Sequence, residues 1–238
     1  GVQTCALPIC AILRIFYVSF ANAEWQWKPA LILIAIITMV FGSLVAIAQK
    51  DVKRMLAYSS IAHAGFLLSG VIALSKAGLE ASIFYLFAYG IATVGGFAIV
   101  TLVRDSAGEV TDLNRWSGLG KRSPLVAGTF AFFLLAFAGI PLTSGFIGKF
   151  SIFSAAYQSG SLAILIAGVL SSAAAAFFYV RVIVLMFFKD PVEDGASVVI
   201  PSALTTTTIA IAATITLVLG VFPAPLINFI ASTATFLR

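Results

Sequence analysis

The chain has 238 residues, of which 61% are hydrophobic and 10% charged, and its formal net charge is +5. An ordinary soluble domain is about a quarter charged, so this composition excludes a water-soluble globule and makes lipid the solvent. The basic residues lie in short loops between apolar runs, not along one helix face or tail, and that pattern argues against nucleic-acid binding.

The chain opens Gly1-Val2-Gln3-Thr4, without an initiator Met or the basic and apolar regions of a secretory leader, and is expected to start inside a longer protein. Cys5 and Cys10 are the only thiols, and with a single distant histidine they do not make a zinc set. Residues 11–21 form a short apolar stub, and the polar stretch from Asn22 to Lys28 carries Trp25 and Trp27, residues suited to a membrane interface. Since about 20 apolar residues cross a bilayer core, spans are predicted at 29–48, 55–74, 80–103, 162–188 and 202–222, with a charged turn at 49–54. Residues 104–123 are predicted as a surface loop with one interfacial helical turn, and 189–195 as an acidic loop.

The apolar run 124–158 is too long for one straight span. Inside it stand Gly139, Pro141, Thr143, Ser144 and Gly145. Proline lacks a backbone donor and glycine disfavours helix, so a helix broken near the bilayer centre is predicted here. Unwound backbone at that depth persists only where it is buried in protein or lines a wet cavity. A simple proline kink is the plainer alternative. The segments are then 1–28 (a partial span and loop, with an atypical start at 1–10), 29–188 (five spans, one of them broken) and 189–238 (loop, final span and interfacial tail). The expected fold is an all-α polytopic transmembrane bundle. Counting basic residues puts Arg14, Lys50, Lys53, Arg54, Arg104, Arg115, Lys121, Arg122 and Lys189 on the cytoplasmic side. Lys28, Lys76 and Arg238 fall outside with the C-terminus.

Lys149, just after the break and beside Gly148, is the leading candidate for chemistry. A charge at bilayer depth costs about 2.5–3.5 kcal/mol on insertion scales, so the lysine is expected to face protein or water. There it could be charged or neutral according to a neighbouring charge, as a proton relay requires. Snorkelling to the interface is the competing reading. His63, the single histidine, lies in the second span near Tyr58, Ser59 and Ser60, which could assist it; a structural histidine is the alternative. Arg181 and Tyr179 are read at the cytoplasmic end of the 162–188 span, with Arg181 snorkelling by default, and Tyr85 and Glu80 at the outer end of the third span. No Asp or Glu lies mid-span to partner Lys149. No P-loop, dinucleotide fingerprint or cysteine cluster is present, so redox chemistry is placed elsewhere.

Two stretches are more specific. Gln49-Lys50-Asp51-Val52-Lys53-Arg54-Met55-Leu56-Ala57-Tyr58-Ser59-Ser60-Ile61-Ala62-His63-Ala64-Gly65 resembles the signature joining two spans of the antiporter-like subunits of respiratory complex I. Ala138-Gly139-Ile140-Pro141-Leu142-Thr143-Ser144-Gly145-Phe146-Ile147-Gly148-Lys149-Phe150 resembles their late broken helix. The region Tyr179-Val180-Arg181-Val182 and the ending Leu219-Gly220-Val221-Phe222-Pro223-Ala224-Pro225-Leu226 look like the subunit N (chain 2) branch of that family. The resemblance covers Ala11 to Arg238, while residues 1–10 depart from the lysine-bearing span the family has there.

The resemblance implies a C-terminal portion of a subunit built from two inverted five-helix repeats, carrying the second repeat and a final helix. It implies that Lys149 and His63 lie on a proton path in an NADH:quinone oxidoreductase of the bacterial plasma membrane, with other membrane subunits and lipid as partners. NADH, flavin, iron–sulfur clusters and quinone would all sit in other subunits, with none in this chain. Related roles are a subunit of a multisubunit cation/proton antiporter or membrane-bound hydrogenase, or a truncated structural membrane fragment.

Overall fold

A computed structural model describes residues 2–20, 23–106, 108–192 and 194–233, with backbone only for 2–7. The side chain of Cys5, Asn22 in the first loop, Glu193 in the acidic loop and the terminal Arg238 therefore lie outside the described residues. Among the described residues the chain is a bundle of α-helices. They are α1 (Val2–Arg14), α2 (Glu24–Ala48), α3 (Val52–Ile72), α4 (Lys76–Val100), α5 (Leu119–Arg122), α6 (Pro124–Ala138), α7 (Ser144–Gln158), α8 (Leu162–Phe188), α9 (Ala203–Val221) and α10 (Ala224–Thr233). Five of these, α2, α3, α4, α8 and α9, are long and apolar enough to cross a membrane.

The long helices begin where side chains supply the acceptor that a helix start lacks. Asp51 accepts from the Arg54 N–H, Ser75 from Gly78 and Ser202 from Thr205. These caps explain why α3 and α4 start several residues before the apolar runs expected at 55 and 80. A hydropathy ruler excludes the charged first turn, which the cap pulls into the helix. Proline at the first position starts α6, again as its missing N–H allows.

α6 and α7 have 15 residues each. At 1.5 Å per residue each is about 22 Å long, short of the roughly 30 Å of a bilayer core. Between them residues 139–143 are unwound. Gly139 takes a left-handed conformation with φ +81°, ending α6, and Leu142 does the same with φ +72°. Leu142 is a non-glycine in that region, a conformation that surrounding structure must hold in place.

The stretch 104–123, expected as a surface loop with one helical turn, does carry short helical turns at Leu113–Trp116 and Leu119–Arg122, but it is also folded into a cap. Strand β1 (Val103–Asp105) pairs antiparallel with β2 (Gly108–Glu109) and, across the sequence, with β3 (Ser197–Val198). Trp116 is fully buried beneath it and donates its indole N–H to the Val110 carbonyl at 2.9 Å. Backbone bonds from Val52 to Thr111 and from Leu113 to Lys50 stitch the cap to the start of α3. Ion pairs join Arg115 to Asp105, Lys53 to Glu109 and Lys121 to Asp190. The hydrogen bond from Lys121 holds the exposed Asp190 carboxyl below the usual carboxylate range. The sequence hid this because Val103, Val110, Leu113, Trp116 and Leu119 follow no helical or strand period, and the partner strand lies far downstream.

At the opposite end, a π-helical turn (Ile15–Ser19) continues α1 and places Tyr17 so that its hydroxyl can donate to the carbonyls of Gly70 and Ser75. That corrects the sidedness of Arg14. It lies three residues before Tyr17, about 4.5 Å of helix rise, near the Lys76 end and away from Lys50. The helix continues from Val2 through the region treated as a stub, and this reverses the count. Two apolar clusters fill the interior, one packed toward the cap around Trp116, Phe130, Phe133 and Tyr179, the other toward the Tyr17 end around Phe66, Phe84 and Tyr85. α3 and α4 contribute to both, and the boundary between the clusters is where α6 stops.

Candidate functional site

α6 stops because Gly139 turns the chain left-handed, and this leaves the last carbonyls of the helix without intrahelical donors. Lys149, reaching back from the second turn of α7, supplies them. Its ammonium donates to the Phe137 carbonyl at 2.8 Å, the Ala138 carbonyl at 3.0 Å and the Ser172 hydroxyl of α8 at 3.1 Å. It also stands 5.1 Å from the centre of the Phe66 ring. The residue is 4% exposed. Its partners are therefore helix-end carbonyls, which carry the negative end of the α6 dipole, a hydroxyl and a ring face. The lysine is buried by protein, as the depth argument required, and does not snorkel to a surface.

The glycines make this approach possible. A methyl group on Gly139 would meet Lys149 Cδ at 2.9 Å. One on Gly145 would strike the Ala136 carbonyl oxygen, and one on Gly148 would strike the Tyr85 ring. α7 thus lies backbone to backbone against the end of α6 and flat against α4. Thr143 turns its hydroxyl to the Ile140 carbonyl at 2.7 Å, bracing the break. Pro141 sits at the exposed edge of the unwound stretch, and Ser144 is buried.

His63 of α3 is 1% exposed. Its Nδ1 lies 2.5 Å from the Tyr85 hydroxyl of α4 and its Nε2 lies 3.3 Å from the Tyr179 hydroxyl of α8. A neutral imidazole has one donor and one acceptor nitrogen, so one tyrosine donates to the ring and the other accepts from it. Exchange of tautomer with rotation of both hydroxyls would move a proton across the ring. Tyr89 stacks on the imidazole at 4.3 Å and donates to the Ser60 hydroxyl at 2.8 Å.

Lys149 and His63 share two neighbours. Phe66 presents its edge to the imidazole and its face to the ammonium, and Phe137 presents its ring to the imidazole and its carbonyl to the ammonium. Of the other residues singled out, Ser60 reaches the histidine through Tyr89, and Ser59, whose hydroxyl donates to the Leu56 carbonyl, reaches it through a side-chain hydrogen bond with Tyr179. Tyr58 is half-buried and packs against the cap-side cluster that also holds Tyr89 and Tyr179. Arg181 is exposed and donates to the Ile47 carbonyl at 2.9 Å.

Three corrections and one omission follow. Tyr85 is fully enclosed and bonded to His63, not interfacial, and Tyr179 is likewise buried against His63, not at a helix end. Tyr58, expected beside the histidine, yields that place to Tyr85, Tyr89 and Tyr179. Ser172, on the α8 face toward the break, carried no signal in the sequence.

Fold and site together are those of a transmembrane helix bundle with one broken helix, a buried lysine at the break and a histidine held between two tyrosines. The chain belongs to the family described as "NADH:quinone oxidoreductase/Mrp antiporter, TM", which matches residues 4–175. It is 56% identical, over 96% of its own length and 42% of the relative's, to the NADH-quinone oxidoreductase subunit N of Rhodococcus opacus. A chain of respiratory complex I from Thermus thermophilus matches it with a TM-score of 0.74 and 30% identity, covering 84% of this chain and 45% of that one. A chain of the Mrp complex from Dietzia sp. has the same fold, with a TM-score of 0.83 and 24% identity over 96% of this chain and 50% of that one. The chain spans about half, or less, of the length of each relative it matches.

Proposed function

We propose that this chain is the C-terminal, antiporter-like portion of a subunit N. In this reading it carries protons across the membrane as part of a redox-driven NADH:quinone oxidoreductase. The observation that carries the reading is Lys149: a buried cation at a helix break, held by carbonyls and one hydroxyl, with no carboxylate beside it among the described residues. No fixed counter-charge locks the proton on, so a change of charge farther along the membrane arm can move it off. The name carried by the Rhodococcus relative supports the choice of complex.

The proposed cycle has two states. Charge arriving from quinone chemistry in neighbouring subunits favours the protonated Lys149, held at the end of α6. Withdrawal of that charge lets the ammonium give its proton to water in the unwound segment. At His63 one ring nitrogen takes a proton from one tyrosine as the other nitrogen gives one to the second tyrosine, the first tyrosine being reprotonated from its side of the axis and the second releasing its own proton onward. NADH, flavin, iron–sulfur clusters and quinone belong to other subunits and none is bound by this chain. The large apolar faces left exposed, Leu33, Ile37, Phe41 and Leu44 on α2 and Leu170 and Phe177 on α8, suit lipid and neighbouring membrane subunits as partners. Residues 29–188 would be the five-span repeat in a bacterial plasma membrane, with the cap cytoplasmic and the C-terminus outside.

The experiment uses inverted membranes carrying the full-length subunit. NADH should drive lumen acidification that depends on Lys149. A second reading, a subunit of a cation/proton antiporter, is favoured by the fold it shares with the Mrp chain. A Na⁺-driven pH change that depends on Lys149 and needs no NADH would select it.

A further inference from the structure

Two buried hydroxyls near the break have no hydrogen-bond partner among the described residues: Ser144 Oγ at the start of α7 and Thr216 Oγ1 on α9. Both residues are 1% exposed. Buried hydroxyls are almost always satisfied by protein or by ordered water.

The two lie in the same region. α9 turns a buried stripe of Ala212, Thr216, Leu219 and Gly220 inward. A methyl group on Gly220 would come within 2.6 Å of the carbonyl carbons of Leu142 and Thr143, so α9 rests directly on the unwound backbone. Thr216 is one helical turn from that contact, about 6 Å along the axis, and Ser144 is the next residue after it. A third feature points the same way. The Thr143 hydroxyl turns to the Ile140 carbonyl and makes no cap bond, so apart from the Phe146 N–H, which the Thr143 carbonyl accepts, the first N–H groups of α7 have no acceptor from their N-cap.

We propose that Ser144, Thr216 and the uncapped start of α7 form a water-binding site that joins the helix break to α9. A water bound there would take one bond from each hydroxyl and one from an N–H of the helix start, close to the usual three bonds of a buried water. Its role in transport rests on the reading of Lys149 given above. A proton released by the ammonium passes to a water of the break, and another O–H proton leaves the water chain at its far end. α9, which lies beyond the five-span unit, would thereby form one wall of the conduit.

The test is high-resolution electron cryomicroscopy of the assembled complex with Thr216, Thr216→Val and Thr216→Ser, each assayed for acidification per NADH oxidised. Ordered water within hydrogen-bond distance of both hydroxyls is expected in the first and third and absent in the second, whose coupling ratio should fall severalfold and recover with serine. Direct bonding of the Thr216 hydroxyl to a carbonyl, with no water, would overturn the site. Water lost in Thr216→Val with an unchanged ratio would overturn its part in transport. A Lys149→Ala complex separates the two ideas: normal pumping there defeats the proton-path reading, while the density at Ser144 and Thr216 decides the water site independently.

Discussion

Lys149 donates to the carbonyl of Phe137 at 2.8 Å, and the ring of the same Phe137 lies 6.1 Å from the His63 imidazole, so one residue at the end of α6 touches both candidate proton carriers. The break is what permits this. An unbroken helix would bond the Phe137 carbonyl internally and leave nothing for the ammonium. The partial negative end of α6 stands where an acidic partner would, no carboxylate being paired with Lys149 among the described residues.

Gly148→Ala tests the contact between α7 and α4. The new methyl group meets the Tyr85 ring, whose other edge atoms are close behind, and must push it from His63. We expect an assembled complex with NADH-driven acidification reduced severalfold. Gly148→Ala with normal acidification would detach Tyr85 from the transport path.

Tyr85→Phe and Tyr179→Phe each leave one imidazole nitrogen without a partner, at a cost of about 1–3 kcal/mol for a buried polar group. The two substitutions should each lower thermal stability by this order. Each alone should slow NADH-coupled acidification about as much as the pair, because a tautomeric shuttle needs a hydroxyl on both sides. Assembly on native gels and acidification rates would be compared across the three variants.

Gly145→Ala is expected to be more severe than Gly139→Ala. At Gly145 the added carbon collides with the Ala136 carbonyl oxygen, a backbone atom that cannot move without opening the α6–α7 junction. At Gly139 the cost is a left-handed φ of +81°, about 1–2 kcal/mol, plus pressure on the flexible Lys149 chain. Immunoblots of membranes should find the Gly145→Ala subunit depleted and Gly139→Ala retained with lowered activity.

Trp116→Ala would remove the largest side chain of the cap, and large aromatic truncations in packed interiors cost about 3–5 kcal/mol. Protease cleavage between residues 103 and 123 should accelerate, while NADH-coupled pumping in surviving complexes should be little changed, since the cap is remote from Lys149. Loss of coupling without faster cleavage would give the cap a direct role.

Much of the bundle was legible. The apolar runs predict the long helices because lipid demands them, and Gly139, Pro141 and Gly145 announce the break because proline and glycine disfavour an uninterrupted helix. Lys149 and His63 stand out as ionisable groups in apolar surroundings. The tyrosines were not legible in the same way. α4 and α8 are apolar all round, so no periodicity tells which face of each meets α3, and Tyr85 and Tyr179 were assigned to helix ends on chain position alone. Ser172 is silent for the same reason. The small sheet depends on Val103 meeting Val198, a pairing between residues 95 positions apart that no local pattern encodes.

The most direct measurement replaces Lys149 by Ala in the full-length subunit and follows NADH oxidation and lumen acidification together in inverted membranes. Loss of a positioned proton carrier should reduce acidification by at least about tenfold, with NADH oxidation falling alongside it or persisting uncoupled. NADH oxidation and acidification both at wild-type levels would contradict a proton path through Lys149.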